Sequence, residues 1–120
     1  MIIGVGTDIL EINRMEKACG NAQFIKKNFT ALEIDFLINK KAETYAGNFC
    51  CKEAAAKALG CGFTGFMPDS VEVLRDVNAA PVINFHGEAR RIADEKGVVN
   101  VHASISHDGR YAVAFVVLEG

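Results

Sequence analysis

The chain has 120 residues, 50% of them hydrophobic and 23% charged, which is the composition of one compact globular domain and not of a disordered chain. A formal net charge of −2, from 13 basic and 15 acidic residues, argues against nucleic-acid binding through a general excess of positive charge. The longest strongly apolar run, residues 111–118, is too short to cross a membrane, and the first residues do not resemble a secretion signal, so we expect a cytoplasmic protein without a membrane partner.

The first half of the chain predicts a strand followed by helices. Residues 2–8 form a short apolar run punctuated by Gly4 and Gly6, which is typical of a buried strand. Thr30 and Glu33 have the spacing of a capping box, which marks a helix start. Periodicity, glycine stops and this capping box predict four helices, over residues 9–19, around residues 24–29, from residue 30 to about residue 40, and over residues 42–59.

The second half of the chain alternates mainly with the two-residue period of strands. Asp108-Gly109 is a strong signal for a hairpin turn. The predicted strands cover residues 71–75, 81–86, 99–106 and 111–118, and a further helix covers residues 88–96. Helices packed on antiparallel strands indicate an α+β fold in a single domain over residues 1–120, with the first strand inserted into the same sheet.

The first candidate for chemistry is Asp8, at the end of the glycine-containing strand. Glycines let the backbone bend and admit close neighbours, and Asp8 lies where the predicted strand ends, which is a common place for site residues. A purely structural role is equally open, in which Asp8 caps the N-terminus of the following helix. Both interpretations stand on this segment alone.

The second candidate is the helix predicted over residues 42–59. Small side chains share one broad arc of this helix and predict close packing, while Lys52, Glu53 and Lys57 fall on the opposite arc. One carboxylate and two ammonium groups suit a metal ion and phosphates. Glu53 and Lys57 also have the i, i+4 spacing of an ordinary solvated ion pair, which is the alternative interpretation.

The third candidate is the segment Ser104-Ile-Ser106-His107-Asp108, where a strand ends in a turn. Ser104 and Ser106 share one strand face, which either binds a ligand beside His107 or is simply exposed. A Ser-His-Asp triad is not indicated, because adjacent residues of a strand point in different directions.

Together, the three candidates suit magnesium-dependent phosphate chemistry. Mg²⁺ binds through one or two protein carboxylates and completes its shell with waters and substrate phosphates. The sequence contains no Walker-type phosphate loop, which disfavours a P-loop nucleotidase.

The chain contains, in order, the segments Gly4-Val-Gly-Thr-Asp8-Ile-Leu-Glu-Ile-Asn-Arg14, Phe49-Cys-Cys-Lys52-Glu53-Ala-Ala-Ala-Lys57-Ala-Leu-Gly60 and Ser104-Ile-Ser-His107. In order, spacing and total length, this set resembles the signature of the holo-acyl carrier protein synthases, the small bacterial 4′-phosphopantetheinyl transferases. The resemblance implies transfer of 4′-phosphopantetheine from coenzyme A to a serine of apo-acyl carrier protein, with release of adenosine 3′,5′-bisphosphate, in fatty acid biosynthesis. It also implies dependence on magnesium and a homotrimer with active sites between subunits.

The resemblance also implies roles for individual residues, by motif position. Asp8 and Glu53 are expected to be catalytic residues that bind the magnesium ion. Lys57 is expected to be a catalytic residue that contacts the pyrophosphate of coenzyme A. Lys52 and His107 are expected to lie near coenzyme A phosphates.

The surface for the acidic carrier protein must be a local basic patch, because the chain as a whole is acidic. Arg14 and Lys17 lie three residues apart on one face of the first predicted helix, so both are expected to contact the carrier protein. Lys26 and Lys27 follow on the next helix. An ordinary solvated helix face is the alternative.

Two positions depart from the family pattern. Asn48 stands where members often have an arginine, and Asn78-Ala79-Ala80-Pro81 stands where a loop near the adenine commonly reads Asn-Gly-Lys-Pro. Each change removes a cation or a flexible residue near the nucleotide. The rival interpretation of the chain is a non-catalytic coenzyme A-binding homologue, and the intact motif residues argue against it.

Overall fold

The fold consists of a three-stranded antiparallel sheet that carries one long helix, with a separate hairpin beside it. The computed structural model describes all residues from Met1 to Gly120. In chain order the elements are β1 (Ile2–Glu11), α1 (Ile12–Cys19), α2 (Ala22–Asn28), α3 (Ala31–Leu37), α4 (Ala42–Ala58), a 3-10 turn (Pro68–Ser70), β2 (Val71–Arg75), β3 (Pro81–Phe85), α5 (Gly87–Glu95), β4 (Asn100–His107) and β5 (Tyr111–Glu119). This architecture confirms the predicted α+β class.

The three-stranded sheet has the order β1-β5-β4, so β5 is its central strand. Side chains alternate along β5, and its inward positions, which are Ala112, Ala114, Val116 and Leu118, are all buried against α4. The outward positions Val113 and Phe115 remain 38% and 48% exposed. The core therefore lies on one face of the sheet, and the other face has no covering layer.

The approach of β1 to α4 depends on glycine. A Cβ at Gly4 would lie 2.1 Å from the carbonyl oxygen of Ala58, and one at Gly6 would lie 1.9 Å from that of Ala54. Contacts this short are sterically impossible, so only glycine allows the two backbones to touch. The close neighbour of the two glycines is therefore α4. Asp8 lies two residues after Gly6 on the same strand.

Two local predictions from the sequence are confirmed. The side chain of Thr30 accepts from the backbone N–H of Glu33, and the Glu33 side chain accepts from the backbone N–H of Thr30, which completes the capping box at the start of α3. The Asp108 carboxylate accepts from the N–H groups of Arg110 and Tyr111, which closes the hairpin turn between β4 and β5.

Three boundaries differ from the sequence prediction. β1 continues to Glu11, because its residues pair with β5 as far as Tyr111, so α1 begins at Ile12 and not at residue 9. Asp8 pairs with Ala114 inside this strand, which makes its alternative role as a helix cap wrong. The helix that begins after Thr30 ends at Leu37, three residues before the predicted end.

The strands β2 and β3 pair as predicted, with Val71 opposite Phe85 and Arg75 opposite Pro81. They form a two-stranded sheet of their own rather than joining the larger sheet. No helix in the structure combines the length and the apolar character needed to cross a lipid bilayer.

Candidate functional site

The structure brings Asp8, Glu53 and Lys57 together where β1 crosses α4. The Lys57 ammonium group donates to the Asp8 carboxylate at 2.8 Å and to the backbone oxygen of Thr7 at 3.1 Å. The Asp8 side chain is only 10% exposed, whereas that of Lys57 is 52% exposed. Lys57 therefore forms its ion pair with Asp8 on β1. The alternative interpretation, an ion pair with Glu53 along α4, is not what the structure shows.

Glu53 lies next to Asp8, and the two acids influence each other. Burial raises the pKa of Glu53 to about 7, and the hydrogen bond with Asp8 and the negative charge of Asp8 add to the effect. The hydrogen bond with Asp8 raises the pKa of Lys57, which stays charged. Two neighbouring carboxyl groups favour the binding of a cation, because a cation offsets their mutual repulsion.

The donor set fits a magnesium ion. The structure contains no cluster of three or more His, Cys, Asp or Glu side chains that could enclose a metal. Mg²⁺ needs no such cage, because one or two carboxylates plus substrate phosphates and water complete its octahedron. Asp8 and Glu53, whose mutual proximity disfavours a second negative charge, are the residues that would hold it.

Cys50 lies beneath this pair and was not identified as a site residue from the sequence. Its thiol approaches an Asp8 oxygen at 3.7 Å and the backbone oxygen of Ala112 at 3.6 Å. Burial, reinforced by the charge of Asp8, raises the pKa of Cys50 to about 12, so the group stays neutral and can donate to the carboxylate. The sequence contained one signal for this contact: Cys50 lies three residues before Glu53, and residues at this spacing are neighbours on a helix.

Lys52 contradicts its predicted role near coenzyme A phosphates. Its side chain is fully buried, and its ammonium group donates to Glu33 at 2.6 Å, to the backbone oxygen of Val71 at 2.6 Å and to that of Pro68 at 3.0 Å. All three N–H bonds of the group are used, so none is left for a phosphate. The predicted solvent-facing arc of α4 is wrong at this residue, because α3, the 3-10 turn and β2 cover it.

His107 is exposed at the end of β4, and the structure does not bring it to the carboxylates. Its ring lies 3.5 Å from Glu43, in the first turn of α4. Glu43 precedes Glu53 by ten residues, which is about 15 Å along a helix. Ser104 and Ser106 are exposed on the outer sheet face, beside this histidine. Within one chain, the contact of His107 is therefore with the N-terminal turn of α4 and not with Asp8 or Glu53.

Arg14 and Lys17 are both exposed on α1, as predicted. Arg14 also lines a cavity of about 600 Å³ that reaches Glu53. The lining of this cavity is mainly apolar and includes Phe24 and Phe49, with Glu11 as a second acid. The cavity connects the predicted carrier-protein surface with the carboxylate site, which no pattern in the sequence indicated.

Comparisons with known proteins agree with this arrangement. A family model described as the 4′-phosphopantetheinyl transferase superfamily matches residues 4–116. The chain is 45% identical over 122 residues to a holo-[acyl-carrier-protein] synthase of Clostridium acetobutylicum, covering 99% of this chain and 98% of the relative. A holo-[acyl-carrier-protein] synthase from Neisseria meningitidis has a TM-score of 0.88 at 30% identity, with 100% of both chains covered.

A further similar structure is the Helicobacter pylori holo-[acyl-carrier-protein] synthase in complex with coenzyme A. It has a TM-score of 0.84 and 30% identity, and the match covers 96% of this chain and 99% of that one. The full-length sequence identity and the shared fold lead to one assignment. This chain belongs to the 4′-phosphopantetheinyl transferase superfamily, in the family of holo-[acyl-carrier-protein] synthases.

Proposed function

We propose that this protein transfers 4′-phosphopantetheine from coenzyme A to a serine hydroxyl of apo-acyl carrier protein and releases adenosine 3′,5′-bisphosphate. The cluster of Asp8, Glu53 and Lys57, in a member of this family, is the observation that carries the proposal. We assign the activity to fatty acid biosynthesis in the cytoplasm, where an acyl carrier protein would be its substrate.

The cluster provides what this type of transfer requires, which is positioning and compensation of charge rather than covalent participation of the protein. Asp8 and Glu53 would hold a magnesium ion, which would supply positive charge to offset that of the coenzyme A pyrophosphate. The serine oxygen forms a bond to the β-phosphorus and passes its proton to Glu53 or to a water molecule in the site, while the bond from that phosphorus to the bridging oxygen breaks. Lys57 offsets the charge that grows on the departing bisphosphate.

The cavity between Glu53 and Arg14 fits the two substrates of this reaction. The pantetheine arm stays with the β-phosphorus, so it must leave the carboxylate site on the side from which the carrier protein approaches. The mainly apolar lining suits a largely uncharged arm, and Arg14, which lines the same cavity, suits an acidic protein surface. Arg14 and Lys17 thus form the proposed docking patch, and local attraction overcomes the net charge of −2.

We propose a homotrimer in which neighbouring copies share each site. Two observations support this assembly. His107 contacts Glu43, which lies about 15 Å from Glu53 along α4, so we infer that it reaches the ligand of the carboxylates from another copy. The uncovered sheet face also exposes an apolar strip, in which Val5, Ile9 and Phe115 are 55%, 62% and 48% exposed. Such a strip favours burial against other copies.

The test is an assay with coenzyme A, Mg²⁺ and an apo-acyl carrier protein, followed by mass spectrometry of the carrier protein. We expect the mass gain of one phosphopantetheine, and no gain with Glu53→Gln or without the metal. Binding of coenzyme A without any mass gain on several carrier proteins would favour the rival function, a non-catalytic coenzyme A-binding protein.

A further inference from the structure

Cys50 belongs to a stripe of α4 that faces Asp8. Cys50, Glu53 and Lys57 follow one another at positions i, i+3 and i+7, so they lie within about 60° of each other around the helix. Glu53 and Lys57 both form hydrogen bonds with Asp8. Cys50 lies on the inner side of this stripe and is fully buried. The helix therefore presents an acid, a cation and a thiol to the same carboxylate.

The two oxygens of the Asp8 side chain face donors from different residues of this stripe. Lys57 donates to Oδ1 at 2.8 Å, and the thiol of Cys50 lies 3.7 Å from Oδ2. A single hydrogen bond leaves a carboxylate free to rotate about it, whereas one donor on each oxygen fixes the plane of the group. The strand has little room to shift, because Gly6 of β1 touches the backbone of α4 at Ala54. The orientation of Asp8 thus depends on both donors.

The thiol of Cys50 has a second acceptor at nearly the same distance. Its sulfur lies 3.6 Å from the backbone oxygen of Ala112 on β5. Burial raises the pKa of Cys50 to about 12, so the group keeps its proton, and one S–H bond donates to one oxygen at a time. The charged carboxylate is the stronger acceptor, which directs the S–H to Asp8 while no cation is bound. The oxygen of Ala112 offers the same donor a partner once Oδ2 is occupied.

We propose that Cys50 is a positioning residue of the metal site, whose S–H orients Asp8 for a divalent cation and turns to Ala112 when the cation takes Oδ2. This inference rests on the metal-binding role of Asp8 in the proposed function. Groups that hydrogen-bond to a metal ligand set its orientation, and their loss lowers the affinity for the metal. Cys50 forms no three-ligand cluster with the two acids, so it acts on the cation only through Asp8. Because a thiol is a weak donor, it releases Oδ2 at little cost.

The first test is infrared spectroscopy of the S–H stretching band, which lies in a spectral window free of other protein bands. The chain has four cysteines, and subtracting the spectrum of Cys50→Ala from that of the parent protein leaves the band of Cys50 alone. The same subtraction in an Asp8→Asn background should give a band at higher frequency, because an amide oxygen is a weaker acceptor than a carboxylate. Saturating Mg²⁺ should move the band of the parent protein in the same direction. A band that stays in place in either comparison would overturn the proposal.

The second test measures the Mg²⁺ affinity of the intact protein by titration calorimetry. The loss of one neutral hydrogen bond changes an affinity by about two- to tenfold, so Cys50→Ala should weaken Mg²⁺ binding by that factor. Cys51→Ala is the matched control, because Cys51 is the next residue of α4 and equally buried, and Asp8 is not among the charges that shift its pKa. Its Mg²⁺ affinity should equal that of the parent protein. Cys50→Ser keeps a donor at this position and should bind Mg²⁺ more tightly than Cys50→Ala.

Two results of the calorimetry would overturn the assignment. Equal losses of Mg²⁺ affinity in Cys50→Ala and Cys51→Ala would make Cys50 a packing residue, and tighter binding by Cys50→Ala would show that the thiol competes with the cation. Cys50→Ser also lacks the S–H band, so it replaces the alanine variant in the infrared test if that variant does not fold. If both tests gave the expected shifts but no phosphopantetheine reached a carrier protein, the proposed function would be refuted and the positioning role of Cys50 would stand.

Discussion

Replacing Lys52 by methionine separates a structural role of this residue from a role in binding coenzyme A. The ammonium group is buried and donates to Glu33 and to the backbone oxygens of Pro68 and Val71. Methionine fills most of the same volume, but it leaves the Glu33 carboxylate buried without its cation and two backbone oxygens without this donor. A charge left uncompensated in a buried site is strongly destabilising.

The expected loss is large compared with the stability of the domain. Removal of one partner from a buried ion pair costs about 3–5 kcal/mol, while domains are stable by about 5–15 kcal/mol. For a chain of this length about 4 °C corresponds to 1 kcal/mol, so Lys52→Met should lower Tm by about 12–20 °C. The double variant Lys52→Met/Glu33→Gln should recover part of this loss, because neither charge remains.

The assay is thermal and urea unfolding followed by circular dichroism, with calorimetry of coenzyme A binding well below the lowered Tm. Lys57→Met is the matched control, because the Lys57 side chain is 52% exposed. We expect its stability to change by less than about 1 kcal/mol and its transfer activity to fall. If Lys52→Met had unchanged stability and lost coenzyme A binding, the structural reasoning would be refuted.

Four further predictions concern the site and its surroundings. Asp8→Asn and Glu53→Gln should abolish transfer and weaken Mg²⁺ binding in calorimetry with an unchanged circular dichroism spectrum; a near-normal rate at saturating Mg²⁺ would exclude these residues as metal ligands. Because the pKa of Glu53 is raised to about 7, a proton occupies this carboxyl group below that pH and competes with Mg²⁺. The Mg²⁺ affinity should therefore fall about tenfold from pH 8 to pH 6, and equal affinities in calorimetry would contradict this competition. Arg14→Glu should raise the KM for carrier protein several-fold, with a weakened dependence on salt; lost coenzyme A binding with normal carrier affinity would place Arg14 at the nucleotide. Phe115→Asp should produce monomers in light scattering and abolish transfer, whereas a fully active monomeric parent protein would disprove the shared site.

Local signals in the sequence predicted local structure well. The spacing of Thr30 and Glu33 defined the start of α3, and Asp108-Gly109 defined the β4–β5 turn, because the groups that satisfy each motif lie within three residues of each other. The sequence also indicated that Gly4 and Gly6 can admit a close neighbour, because glycine has no side chain. The identity of that neighbour required the structure.

Features that depend on distant segments were not predictable. A helical wheel assigned Lys52 to the same side as Lys57, but it cannot show that α3 and β2 cover only the first of them. The end of β1 at Glu11 depends on its pairing with Tyr111, 100 residues away. The contact between Asn48 and Arg75 likewise joins two elements whose proximity no periodicity reveals.

The main-chain contact between β1 and α4 has a consequence for how this protein tolerates change. Gly4 and Gly6 touch no substrate in the proposed reaction, yet any larger residue would force the strand away from the helix and separate Asp8 from Glu53. Both glycines lie within a strand, where they set the distance between the strand and the helix. In a screen for activity, substitutions of Gly4 or Gly6 would therefore give the same result as substitutions of Asp8 or Glu53. Selection for catalysis thus extends to residues that take no part in the reaction.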